Sequence, residues 1–242
     1  MDQDPKRIRW VFWGGGGMYT IGTFDGRKYV PETEPLKAEL GANGYAAQTW
    51  SDIPAADGRR IQLSWMSGGR YPSMPFNQQM SFPVELSLRS FADGVRLCRE
   101  PVREIGLLND EPHWWRVQTV SPGRTLVPPT AHDLFHITGI VETGGAKSFG
   151  LILRGIDLRY HVAEQKFTYL GRDVPAKLTD GRLEFQVLLD RTSMELFADR
   201  GRTSASFCFL PEAWDHPVEL YAEGASVTYR SLCVRELSSA WI

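Results

Sequence analysis

Apolar side chains recur along this chain mainly at a period of two, and Gly, Asp or Pro interrupts the pattern every few residues. Many short antiparallel strands are predicted, because alternate residues of a strand face opposite sides of its sheet. Ile8, Trp10 and Phe12 alternate with Arg7, Arg9 and Val11, and Gly14 to Gly17 then predict a turn. A returning strand follows over Met18 to Phe24, closed by Asp25-Gly26, a dipeptide suited to the positive φ angles of a tight hairpin. Four consecutive glycines also suit a phosphate loop, but such a loop must run into a helix whose N-terminus faces the anion. Met18 to Phe24 has the period of a strand, so a hairpin turn is the better reading.

Further strands are expected over 134–142, 148–154, 159–162, 182–189, 194–198, 203–210, 218–222 and 226–236. The strands pause at Gly106 to Pro112, which places a boundary between residues 1–106 and 112–242. So many strands after that pause fit a β-sandwich, and the fold class expected for the whole chain is all-β.

Composition narrows the partners. The chain has 242 residues, 42% apolar and 23% charged, with a formal net charge of −2 and scattered basic residues. A soluble globular protein with no nucleic-acid or membrane partner is expected. Met1 to Arg7 lacks the apolar core of a signal peptide, so location is left open, with secretion or the periplasm expected if such a peptide lies upstream of the present start. Cys98, Cys208 and Cys233 are too scattered for a disulfide framework or a zinc site and read as buried thiols. His132 and His136 are four apart, which suits a metal on a helix, but the segment reads as strand and would hold them about 13 Å apart. No metal site is assigned. Nor do any residues form a Ser-His-Asp or Cys-His grouping.

Four segments carry a more specific signal: Tyr45-Ala46-Ala47-Gln48-Thr49-Trp50, the pair Trp65-Met66, Phe82 to Arg89, and Leu189 to Phe197. Together and in this order they resemble the C-terminal half of the family 32 glycoside hydrolases, the invertases, levanases, inulinases and fructan hydrolases. The resemblance implies the last blades of a five-bladed β-propeller over 1–106 and a C-terminal β-sandwich over 112–242. It also implies that Tyr45, Gln48, Trp50 and Trp65 face the pocket that takes a terminal fructose, so the partner implied is a fructose-containing saccharide. Aromatic rings suit the apolar C–H faces of a sugar, and an amide such as Gln48 suits its hydroxyls. No cofactor is implied, because carboxylate chemistry on a ketoside needs none.

Departures from the family pattern are local. Glu39-Leu40-Gly41 stands where many members have Asp-Tyr-Gly, Val84 where many have Arg, and Met74 to Met80 where a Trp-rich stretch is usual. They point to a levanase-like bacterial branch. More consequential is the catalytic set: the family's nucleophilic Asp, transition-state-stabilising Asp and acid/base Glu lie upstream of the matched segment, and none has a counterpart here.

Retaining hydrolysis needs two carboxyl groups about 5–5.5 Å apart. The carboxylates that read as exposed are Asp52, Glu85, Glu104, Asp190 and Glu195, and each has a structural explanation. Glu85 shares a strand face with Arg89, opposite Val84, Leu86 and Leu88. Asp190 is expected to accept a backbone N–H two residues on and fix a hairpin, with Glu195 on the returning strand. No catalytic residue is assigned. The readings left are a fragment of an enzyme acting on β-fructosides (levan, inulin or sucrose) that is inactive by itself, a non-catalytic carbohydrate-binding module, or a subunit completed by another chain. A propeller holding only its last blades exposes a strand edge, which predicts self-association or pairing with the missing N-terminal half.

Overall fold

The computed structural model describes residues 1–242 except Gln3, Pro5, Ser73, Ala131, Ala213, Trp214, Trp241 and Ile242, and the side chains of Asn109 and Glu111. A first sheet holds β1 (Trp10–Trp13), β2 (Met18–Phe24), β3 (Tyr29–Pro31) and β4 (Leu36–Lys37), with β2 flanked by β1 on one side and by β3 and β4 in turn on the other. The Gly14–Gly17 segment is the expected hairpin turn, closed by the Gly14 N–H on the Met18 carbonyl at 2.7 Å. Asp25 closes the next turn by accepting the N–H groups of Arg27 and Lys28. A second sheet runs β5 (Gly44–Thr49), β6 (Ile61–Met66), β7 (Val84–Phe91) and β8 (Gly94–Pro101) in spatial order.

These two sheets pack face to face as propeller blades do. Val11, Trp13, Tyr19 and Ile21 of the first meet Leu86, Leu88, Val95 and Leu97 of the second. The other face of the first sheet is bare: Trp10 is 51% exposed and Phe12 62%. On it Trp10 meets Phe24 edge-on at 5.2 Å and Phe12 stacks on Tyr29 at 4.6 Å.

A 3-10 helix over Arg103–Leu108 leads into β9 (Asn109–Trp115), β10 (Gln118–Val120), β11 (Phe135–Glu142), β12 (Ser148–Leu153), β13 (Ile156–His161), β14 (Lys166–Tyr169), β15 (Arg172–Pro175), β16 (Arg182–Leu189), β17 (Ser193–Ala198), β18 (Thr203–Cys208), β19 (Val218–Glu223) and β20 (Val227–Leu237). They form two antiparallel sheets, one in the order β10-β20-β11-β16-β17-β18 with β9 also on β20, the other β15-β14-β13-β12-β19. Between them lies a hydrophobic core that includes Phe135, Phe149, Leu151, Tyr160, Phe167, Phe185, Leu196 and Phe207.

Two expectations change here. The strand pause is shorter than Gly106 to Pro112, because Pro112 lies inside β9, opposite Arg235. An edge strand tolerates a residue without an N–H, which is why a proline that reads as punctuation is compatible with pairing. The short hairpin β14–β15 has no counterpart among the expected strands, each strand being only four residues long.

The blades meet the sandwich along β18, the last strand of its sheet. The loop between β4 and β5 pairs with that open edge: the Leu40 N–H donates to the Ser204 carbonyl at 2.9 Å and the Ala42 N–H to the Ser206 carbonyl at 3.1 Å. An edge strand otherwise carries unpaired backbone groups, so this loop covers it. Gly41 permits the approach, since a Cβ there would sit 2.3 Å from both the amide nitrogen and the carbonyl oxygen of Ser206. A buried seam of Ile61, Val84, Val102, Ile105, Leu188, Phe197 and Leu237 continues the contact. Backbone cannot yield as a flexible side chain does, so Gly41→Ala should push the loop off β18 and lower stability by about 1–3 kcal/mol. Urea unfolding of the two proteins side by side measures it; an unchanged midpoint would mean that the loop does not carry the junction.

Candidate functional site

Strands β5 and β6 carry the four residues singled out from the sequence. Plain alternation would put Tyr45 and Gln48, three apart, on opposite faces. A β-bulge intervenes: Tyr45 lies opposite Trp65 and Gln48 opposite Leu63, so three steps on β5 match two on β6. The extra residue brings Tyr45 and Gln48 to the same face as Trp65. Ala46 takes the strain of this with φ of 47°, a left-handed conformation uncommon for a residue with a Cβ. Its amide is satisfied from the first sheet, donating to the Gly15 carbonyl at 2.8 Å.

The Tyr45 and Trp65 rings meet nearly edge-on, 6.0 Å between centroids. Tyr45 is half-exposed, Gln48 is exposed and Trp65 is partly buried, so the three present an open amphipathic wall. The backbone of Trp50 extends the ladder, its N–H on the Ile61 carbonyl at 3.0 Å, with its ring half-exposed. Its ring has no aromatic partner among the described residues, so the structure does not join it to the Tyr45–Trp65 pair.

The wall is anchored from behind by side chains that the sequence did not single out. Asn43 accepts the Cys208 N–H at 2.8 Å and donates to the Ser67 carbonyl at 2.7 Å, so one amide spans from β18 to the residue after β6. Trp65 donates its indole N–H to Gln78, and the neighbouring Gln79 accepts from the Thr192 hydroxyl at 2.8 Å. Only folding shows these pairings, because the partners are up to 165 positions apart.

None of the carboxylates considered forms a pair suited to hydrolysis. Two Arg59 nitrogens bond Glu104 at 2.8 and 2.9 Å and hold its carboxyl at about 2, well below the usual range. Asp190 accepts the Arg191 N–H at 2.7 Å, one residue on rather than two, and its own N–H closes the hairpin on the Ser193 carbonyl. Arg89 bonds Glu100 rather than Glu85. Asp52 sits at φ of 55° in an exposed turn. Glu195 is the clear correction: it reads as exposed by alternation but is 1% exposed, because β17 is covered on one side by the sandwich core and on the other by the blades. His136 bonds Gln186 and His132 approaches Glu236, so the two histidines do not converge, and the described residues contain no cluster with metal-ligand character. All three cysteines are free, Cys98 and Cys233 buried and Cys208 partly so.

Blade-like sheets joined to a two-sheet sandwich, with an aromatic and amide wall at the junction, define an all-β protein of propeller-plus-sandwich architecture. The chain matches the N-terminal domain of the glycosyl hydrolases family 32 over residues 14–101 and the C-terminal region of the same family over 116–236. It belongs to that family. It is 29% identical to a levanase of Bacillus subtilis (strain 168), the alignment covering all of this chain and 42% of that protein. Among solved structures, a fructofuranosidase from Schwanniomyces occidentalis complexed with fructose superposes with a TM-score of 0.78 at 15% identity, over 98% of this chain and 58% of the other. The exo-inulinase from Aspergillus awamori gives 0.77 at 17%, over 93% and 50%. The chain therefore spans roughly half the length of these relatives, and its fold is the last part of the propeller followed by the sandwich.

Behind the wall, Glu195 accepts the Phe82 N–H at 2.6 Å, and burial pushes its carboxyl up to about 8. A folded-state value above the unfolded one means that the folded protein holds the proton more tightly between the two. Stability should therefore be full below about pH 4.5 and fall as pH rises through about 8, at no more than about 1.4 kcal/mol per pH unit. Glu195→Gln keeps the acceptor for Phe82 and removes the titration. Denaturant midpoints of wild type and variant across that range should converge at low pH and separate at high pH; parallel curves would exclude Glu195 as the titrating group.

Proposed function

We propose that this chain supplies one wall of a pocket for the terminal fructose of a β-fructoside, together with the sandwich that holds the wall in place, in an enzyme acting on levan, inulin or sucrose. The observation that carries the reading is the bulge at Ala46, which gathers Tyr45, Gln48 and Trp65 on one face in a family 32 chain. A strained backbone beside an open aromatic pair suits a binding site better than a core. Trp50, half-exposed just past the end of β5, belongs to the reading on the family resemblance and not on a contact with the ring pair. The propeller segment is assigned to 1–106 and the sandwich to 112–242, with the 3-10 helix and the start of β9 as the joint.

Hydrolysis by the chain alone is not part of the proposal, since Glu104, Asp190 and Glu195 are engaged in structural bonds. A second half is. Edge strand β1 and the bare face carrying Trp10 and Phe12 present the kind of surface that a neighbouring blade covers. The fitting partner is the blade-bearing half of a family 32 propeller, and a second copy of this chain is the competing occupant.

The isolated chain should release no reducing sugar from sucrose, levan or inulin above a buffer blank. Fructose should bind only in about the millimolar range, since one wall buries little of a ligand. Trp65→Ala should remove that binding. Adding the N-terminal half of a family 32 enzyme should give a one-to-one complex by light scattering, weakened by Phe12→Asp. Hydrolysis by the chain alone that is abolished by Asp52→Asn would overturn the assignment, as would micromolar binding indifferent to Trp65→Ala.

A further inference from the structure

The hairpin between β16 and β17, one of the four motif segments, lies in the sandwich, and among the described residues none of its hydrogen bonds goes to Tyr45, Gln48, Trp50 or Trp65. Its turn is built on the Asp190 N–H to Ser193 carbonyl bond, and Arg154 braces it by donating to the Arg191 carbonyl at 2.8 Å. Thr192, at the tip, is 2% exposed. Its carbonyl accepts the Phe209 N–H at 3.0 Å, so its backbone is fixed to the sandwich, while its hydroxyl reaches outward to the Gln79 side chain at 2.8 Å. Gln79 in turn accepts the Met66 N–H on its backbone carbonyl at 3.0 Å, locking the 76–80 segment beside β6. Gln78, the next residue back, accepts the indole N–H of Trp65.

We propose that Thr192 is a positioning residue: through Gln79 it fixes the segment whose Gln78 sets the orientation of the Trp65 indole. The physical warrant is rotamer control. An indole with one N–H donor and a partly exposed ring keeps its orientation only if its acceptor is immobile. Gln78 has a flexible side chain on a segment outside the strands, and a backbone bond plus a side-chain bond at the next residue immobilise it. That Trp65 faces a sugar rests on the functional reading above; that Thr192 sets its orientation does not.

The test reads the Trp65 indole N–H directly, as its peak in a 15N-correlated NMR spectrum of the full chain, identified by its loss in Trp65→Phe. Thr192→Val keeps the shape and removes the hydroxyl, and it should shift or broaden that peak while Thr192→Ser restores it. Thr203→Val is the control for a merely structural loss, because that buried hydroxyl, on β18, bonds the Pro175 carbonyl of the facing sheet at 2.8 Å. It should leave the Trp65 peak in place. Gln79→Leu removes the same bond from the other side and should reproduce the Thr192→Val shift, which keeps the test decisive if one variant fails to fold. Fructose titrations of wild type and Thr192→Val should differ several-fold in affinity. A Trp65 peak unmoved by both Thr192→Val and Gln79→Leu, or moved equally by Thr203→Val, overturns the proposal. If wild type binds no fructose while the peak still moves as expected, the positioning stands and the pocket assignment falls.

Discussion

At the seam between blades and sandwich, the Arg99 guanidinium is 1% exposed and gathers groups from every part of the molecule. It bonds Glu39 at 2.7 Å, from the loop before β5, and Ser204 on β18 at 3.0 Å. It reaches Ser64 on β6 at 3.3 Å and lies 5.7 Å from the Trp13 ring centroid of the first sheet. Glu39 in turn accepts the N–H groups of Gly41 and Ser206 and the Ser206 hydroxyl. A buried ion pair of this kind is poor as a source of net stability, because desolvation offsets much of the attraction, but losing one partner leaves a buried charge unpaired. Its geometry ties both blade sheets to β18 of the sandwich.

The same geometry explains how the sandwich fixes the strand that carries Tyr45. An open edge at β18 invites pairing, and the segment that takes it, residues 40–43, leads directly into β5. Tyr45 therefore inherits its position from the edge of another sheet. The bulge at Ala46 is held between the Gly15 carbonyl of the first sheet and the ladder to β6, so the wall is fixed from three directions. Strain at a single residue persists when its surroundings over-determine it, which is the situation here.

Two carboxylates share this region with one guanidinium. Ser206 bridges them, its hydroxyl 3.0 Å from Glu39 and 3.4 Å from Glu195. Excess negative charge in a buried space is relieved when one carboxyl keeps its proton, and burial acts on Glu195 in that direction. Glu39, in the loop before β5, reaches both Arg99 and the Ser206 N–H and hydroxyl on β18. The position therefore has a packing role.

What the sequence determined by itself is everything set by neighbours along the chain. Period-two alternation marks strands such as β2, β11 and β16, because side-chain direction in a strand depends only on position. Asp25-Gly26 and Asp190 to Ser193 mark their turns because the groups that close them are near neighbours along the chain. The order of the four motifs placed the chain in its family. The tertiary structure decided the rest. Glu195 is buried because blades cover the far side of β17, and nothing local to Ser193–Ala198 encodes that cover. Pro112 is tolerated because β9 is an edge strand, and edges are defined by what fails to pair. Tyr45 and Gln48 share a face because a bulge shifts their register, held by Gly15 some thirty positions away. Burial, edges and register are properties of who packs against whom, and a linear pattern records only who follows whom.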